Sequence, residues 1–247
     1  NFKKISGMKL KEVYKSSPFG VVSSFLIGIS HSAVFSLIAV YATSMNFSIL
    51  EVSIVTFLFA ISGAISQWPI GKLSDVLDRR IVIIYTTFGA ALFCFLAIIS
   101  SGQMYMPAGL ATSKIFFYIC IMCFSFCSLP MFALIFAHTN DFIPKEKFVA
   151  AGAGLQFVFG LGAICGPFMC SLFMEFLGEN GFFIFLIIFH SFIGLFGIYR
   201  MQIRESGDNP DSQFAPMPQT ITPAGIELNP STEPIDEPNN LNEFKKI

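Results

Sequence analysis

Charge is scarce in this chain: 13% of its 247 residues are Asp, Glu, Lys or Arg, against roughly 25% in an ordinary soluble domain. That shortage excludes a single domain solvated on every side. Histidine is represented three times and tryptophan once. There is no His-Glu-x-x-His run, no pair of aspartates within an apolar stretch, and no glycine loop followed by Lys-Ser/Thr. The signatures of a zinc hydrolase and of a nucleotide-hydrolysing motor are therefore lacking, and neither an enzyme, a cofactor nor a metal site is expected. The six cysteines (Cys94, Cys120, Cys123, Cys127, Cys165 and Cys170) all fall in apolar windows and imply no disulfide framework. Cys120, Cys123 and Cys127 share one helical face, but no His or carboxylate joins them at ligand spacing, so they read as small apolar packing groups.

What the chain has instead is apolar length. Residues 18–50, 52–71, 81–113, 115–140, 148–174 and 180–199 carry no charge at all. Each is at least as long as the ~20 residues a helix needs to cross the hydrocarbon core. The windows are continuously apolar rather than alternating, and a backbone in lipid must satisfy its own donors, so helices are expected and not a barrel. The expectation is an all-α membrane protein with six transmembrane helices at about 17–42, 48–70, 81–100, 114–139, 148–176 and 181–199. Residues 101–113 make the longest connection between them.

The net charge of −1 conceals segregation. Fourteen of the fifteen Lys and Arg residues precede Pro18, lie in the connections near 72–80 and 145–147, or follow Tyr199; Lys114 is the exception. By the positive-inside rule both termini are expected in the cytoplasm. Half of the sixteen acids and seven of the thirteen prolines lie from Glu205 onward. Residues 205–247 therefore read as a disordered, acidic, Pro-rich cytoplasmic tail after a bundle at 17–204. The segment 1–16 is lysine-bearing and lacks a signal-peptide core, and the first residue is Asn1 rather than Met, so the sequence is expected to start inside a longer protein.

Polar groups in the apolar windows are the functional candidates, because each costs on the order of several kcal/mol to desolvate without a partner. His31, flanked by Ser30 and Ser32, sits mid-span. It can donate to a substrate or shuttle a proton, or it can simply bond a neighbouring serine or backbone group. Gln67 and Gln156 can reach a pathway or tie helices together, whereas His190 reads as structural. Pro130 and Pro167 each remove a helical hydrogen bond and are candidate hinges or static kinks. Gly162 and Gly166 form a small-x-x-x-small step that permits close helix approach. Glu51 suits a helix N-terminus.

The most informative segment is Gly71-Lys72-Leu73-Ser74-Asp75-Val76-Leu77-Asp78-Arg79-Arg80, expected in the short turn between spans two and three. It resembles the signature cytoplasmic loop of the major facilitator superfamily through Gly71, Leu73, Ser74, Asp75, Arg79 and Arg80. Val76 stands where that family usually has a basic residue and Asp78 where it usually has glycine. Gln67-Trp68-Pro69-Ile70, Ala137-His138-Thr139-Asn140-Asp141 and the run from Gly160 to Pro167 occur in this order in the YcaD-like bacterial branch, so the resemblance covers roughly 18–204.

The resemblance implies the second six-helix half of a twelve-helix transporter, with the first half missing. It implies a small-molecule substrate, lipid and the other half as partners, no nucleic acid, and a bacterial inner-membrane location; with no nucleotide-hydrolysis motif, the expectation is either a coupling ion or facilitated diffusion. It also places His31 at substrate depth. His138, Asn140 and Asp141, at the inner end of span four, are candidates for a cytoplasmic gate with the Asp75 segment, or for a helix C-terminal end that hydrogen-bonds water. The function expected is secondary active transport by alternating access. The alternatives are a six-helix channel or receptor subunit and a membrane-embedded phosphotransferase, for which Asp75-Val76-Leu77-Asp78 lacks the further glycines and aspartates.

Overall fold

A computed structural model describes residues 8–100, 114–207, 214 and 216. A short helix α1 (Leu10–Ser16) leads into α2 (Pro18–Ser44), α3 (Ile49–Val76), α4 (Arg79–Ser100), α5 (Lys114–Ser128), α6 (Met131–Asn140), α7 (Phe148–Leu177) and α8 (Gly181–Ile203). Counting α5 and α6 as one broken rod, six of these are long and apolar enough to cross a membrane, and the chain is an integral membrane protein. The connection at 101–113 and most of the tail lie outside the described residues.

Local chemistry sets the helix ends. Ser17 caps α2 by accepting from the Gly20 N–H at 3.1 Å, with Pro18 at the first helical position. Ser48 and Glu51 form a reciprocal capping box at the start of α3, where Ser48 N–H donates to Glu51 Oε2 at 2.8 Å. The same carboxylate pairs with Lys114 at the start of α5, which gives the basic residue outside the charge pattern a partner. Gly178, at φ 69°, ends α7 in a conformation that L side chains rarely adopt.

Span two extends further than the charge pattern implies. Gly71 to Val76 continue α3 as helix, and the turn to α4 contains only Leu77 and Asp78. Pro69 lies inside this helix. Ser74 Oγ donates back to the Gly71 carbonyl at 2.8 Å, and Asp75 and Arg79 pair one turn apart, so polar groups hold the rod together beyond its apolar stretch. Pro130 separates α5 from α6, whereas Pro167 sits within an unbroken α7.

Packing follows small residues. α2 lies chiefly against α7, α4 against α8 and α5, and α3 against α5. Between α2 and α7, Gly162 and Gly166 face Phe25 and Ile29, while Gly28 faces the Phe159 backbone. A Cβ at Gly166 would stand 3.0 Å from the Ile29 carbonyl carbon and overlap its oxygen. In lipid, where burial of apolar surface drives no association, such backbone approach is a main source of helix adhesion. Aromatic stacking fills the end that bears Glu51: Tyr41 packs on Phe182 and Phe183, with ring centroids 5.2 and 4.9 Å apart.

Candidate functional site

Two polar clusters stand out in an otherwise apolar bundle. The first lies at the end opposite Glu51. Arg79, only 8% exposed at its side chain, donates to Asp75 Oδ1 at 3.0 Å and to the Ala137 carbonyl at 3.0 Å, and pairs with Asp141. A planar guanidinium with several fixed donors can serve all three at once. One side chain on α4 thus ties the end of α3 to the end of α6. His138 is buried beside it, between the Phe19 and Phe142 rings at 5.1 and 5.2 Å, with Nδ1 4.0 Å from Asp141 Oδ2. Asn140 is also buried. The structure therefore brings Asp75, Arg79, His138, Asn140 and Asp141 to one end, while Leu73 is largely exposed on α3.

Arg80 forms a parallel arm. Its guanidinium clasps Asp78, with Nη2 2.6 Å from Oδ2, and Nη1 donates to the Arg204 carbonyl at 2.6 Å beyond α8. Asp78 Oδ1 also accepts the Arg80 backbone N–H at 2.9 Å, so it serves as both cap and counter-ion at the start of α4. Burial raises the Asp78 carboxyl pKa. The Arg80 hydrogen bonds and charge, helped by His138, outweigh that and hold it below the usual carboxylate range. Arg204 extends the arm by donating to the Ser16 carbonyl at 2.5 Å and stacking 4.0 Å over the Phe142 ring.

The second cluster is buried in mid-bundle. His31 Nε2 lies 3.1 Å from both the Ser128 carbonyl and Ser128 Oγ. A carbonyl only accepts, so Nε2 carries the proton. By the same argument His190 Nδ1, 2.9 Å from the Leu186 carbonyl, is protonated, which leaves Nε2 of the neutral ring to accept from the Ser128 hydroxyl at 2.8 Å. The result is a directed chain: His31 donates to Ser128, and Ser128 donates to His190. Ser30 Oγ, 3.3 Å from His190 Nδ1, completes the cluster. It joins α2, α8 and the break before Pro130, at the point where the α5 rod leaves its last carbonyls.

The other candidates are dispersed. Ser32 Oγ turns back to the Ile29 carbonyl at 3.1 Å, beside Gly166. Gln67 Oε1 is buried without a hydrogen-bond partner among the described residues. Gln156 lies on α7. Sequence reasoning did not single out Ser128, the centre of the buried chain, whose sole local signal is its place in Ser128-Leu129-Pro130. Ser62 and Ser125 were also overlooked: Ser62 Oγ donates to the Met122 carbonyl at 2.6 Å and Ser125 Oγ to that of Phe59, tying α3 to α5. Among the described residues, no group of three His, Cys, Asp or Glu side chains is placed to hold a metal ion.

This combination of six apolar rods and an arginine clasp between adjacent rods can be compared with known proteins. The sequence profile described as Major Facilitator Superfamily matches residues 20–234. The chain belongs to the Major Facilitator Superfamily. Among curated superfamily relatives, the MFS-type transporter YE1530 of Yersinia enterocolitica is 23% identical over 201 residues, covering 81% of this chain and 47% of that protein. The MFS-type transporter YfkF of Bacillus subtilis is 26% identical over 191 residues, covering 74% and 45%. The MFS-type transporter Ent638_1421 of an Enterobacter species is 24% identical over 191 residues, covering 77% and 45%. The chain thus spans a little under half the length of these superfamily relatives. No solved structure matches it significantly.

Proposed function

We propose that this chain is the C-terminal six-helix half of a secondary active transporter that moves a small solute across a bacterial inner membrane by alternating access. Superfamily membership supports transport of a solute, and coverage of just under half of each relative supports a half-molecule. Similarity to those bacterial proteins also accords with the YcaD-like branch. In this reading both termini face the cytoplasm, as the segregation of Lys and Arg favours, and a first six-helix half supplies the opposing wall of the pathway. An ion gradient drives the movement.

The observation that carries the mechanism is the Arg79 cluster. One guanidinium joined to Asp75, Asp141 and the Ala137 carbonyl holds the cytoplasmic ends of α3, α4 and α6 in one arrangement. Rocking of the halves toward an inward-open state has to break part of it, so the cluster acts as a gate latch between two discrete packings. Mid-bundle, His31 and Ser30 belong to the substrate pathway, and the break at Pro130 lets the α5–α6 rod bend where Ser128 meets His31.

The test is a solute screen of the full-length protein in proteoliposomes, run in parallel with Asp75→Asn. Loss of one charged hydrogen-bond partner of Arg79 is expected to change uptake of the transported solute by about tenfold, with the protein still inserted and folded. A solute taken up equally by both forms removes the latch from the mechanism.

A further inference from the structure

Two residues that follow α8 meet the two carboxylates that hold Arg79. Just beyond α8, Gly207 packs on Asp141: a Cβ at Gly207 would stand 2.7 Å from both the Asp141 Cβ and its carbonyl oxygen. Further along, the Phe214 backbone N–H donates to Asp75 Oδ1 at 2.9 Å, the same oxygen that accepts from Arg79. The Phe214 ring occupies the notch left by Gly71 on α3, with Cγ 3.0 Å from where a Gly71 Cβ would lie. Phe214 also packs against two buried apolar clusters, one containing Ile70 and Ile135 and the other Phe136 and Phe148. An aromatic side chain, a backbone donor and a side-chain-free notch fit together at one position.

We propose that the tail is a strap: Phe214 docks in the Gly71 notch, bonds Asp75, and so holds the Arg79 cluster in its closed arrangement until it is released. Two contacts give the strap its geometry: Gly207 packs on Asp141, and Phe214 bonds Asp75, the other carboxylate that holds Arg79. Removal of the strap leaves Asp75 Oδ1 with Arg79 and without the Phe214 donor, and opens the notch. The regulatory meaning rests on the Arg79 cluster being a gate, but the docking itself does not.

The test uses the full-length protein in native membranes, with disulfides mapped by mass spectrometry. Since Phe214 Cγ is 3.0 Å from the position of a Gly71 Cβ, cysteines at the two sites fall within about 4.5 Å at Cβ and can bridge. Gly71→Cys with Phe214→Cys should oxidise at least about tenfold faster than Gly71→Cys with Thr220→Cys, because a merely tethered tail offers both thiols at similar effective concentration. In parallel, Phe214→Ala should speed amide exchange at residues 77–80 by about fivefold, the effect of losing one ordinary hydrogen bond next to the cluster. Equal oxidation of the two cysteine pairs, or no oxidation of either, overturns docking. Preferential oxidation with unchanged exchange overturns the strap. Neither readout requires a substrate, so a failure of the transport reading leaves both results interpretable.

Discussion

Replacing Gly166 with alanine adds one methyl group where α2 and α7 are closest. The new Cβ would lie 3.0 Å from the Ile29 carbonyl carbon and overlap both the carbonyl oxygen and Ser32 Oγ, whereas ordinary contacts begin at 3.4 Å. Backbone atoms on a facing helix cannot rotate away, so the helices must separate by several tenths of an ångström at least. Gly162→Ala meets Phe25 and Ile29 in the same way, with the Ile29 nitrogen at 3.0 Å. Gly160→Ala on the same helix meets nothing within 4 Å. Overpacking costs about 1–3 kcal/mol, while glycine to alanine in an open helical position gains about 1 kcal/mol in helix propensity. Because the obstacle is rigid backbone, the upper end of that range less the propensity gain leaves Gly166→Ala and Gly162→Ala each destabilised by about 2 kcal/mol, roughly a thirtyfold shift in the folded fraction, and Gly160→Ala should be neutral or stabilising. Reversible unfolding in mixed detergent micelles measures all three. A Gly160→Ala loss equal to that of Gly166→Ala would falsify the claim that backbone approach sets the cost.

Three other perturbations probe the polar clusters. Ser128→Ala leaves His190 Nε2 buried without its hydroxyl donor and should cost about 1–2 kcal/mol in the same assay. Ser171→Ala, whose hydroxyl only returns to the exposed Phe168 carbonyl, should stay within about 0.5 kcal/mol. Arg79→Gln strands two carboxylates and should cost about 3 kcal/mol, and Arg79→Lys should recover only part of that, since a compact ammonium lacks the planar fork that spans the three separated acceptors; thermal melts of the solubilised variants rank them. Asp78 titrates below the usual carboxylate range in the folded protein, so its pairing stabilises fully above the unfolded value of about 3.9 and fades as pH falls through the lower folded value. The melting-temperature gap between wild type and Asp78→Asn should accordingly be constant near neutrality and narrow on the acid side. A gap that widens as acid is added contradicts the assignment.

The spanning helices were legible because lipid imposes a simple rule. A run of about twenty residues without charge has few other destinations. Their ends were less legible. The charge-free window set the end of span two at residue 70, yet α3 continues to Val76 because Ser74 and the Asp75–Arg79 pair supply polar support that composition does not reveal. The break at Pro130 followed from its missing N–H, whereas Pro167 produces no break in α7. Which residues meet across helices was the hidden part. Asp75 and Arg79 are near in sequence, but Arg79 and Asp141 are brought together only by packing. Ser128 looks like any small polar residue in an apolar window until α2 and α8 place a histidine on either side of its hydroxyl. Phe214 lies in a composition typical of disorder, and its contact depends on a notch that is visible only in three dimensions.

The central claim is a six-span bundle with the Arg79 cluster on the cytoplasmic side and the Glu51–Lys114 pair on the other. Lys72, exposed beside Asp75, and Lys114, exposed at its side chain, mark the two ends. With a membrane-impermeant maleimide, Lys114→Cys should be labelled in intact cells and Lys72→Cys only in inside-out vesicles. Labelling of Lys72→Cys from outside intact cells would contradict the account.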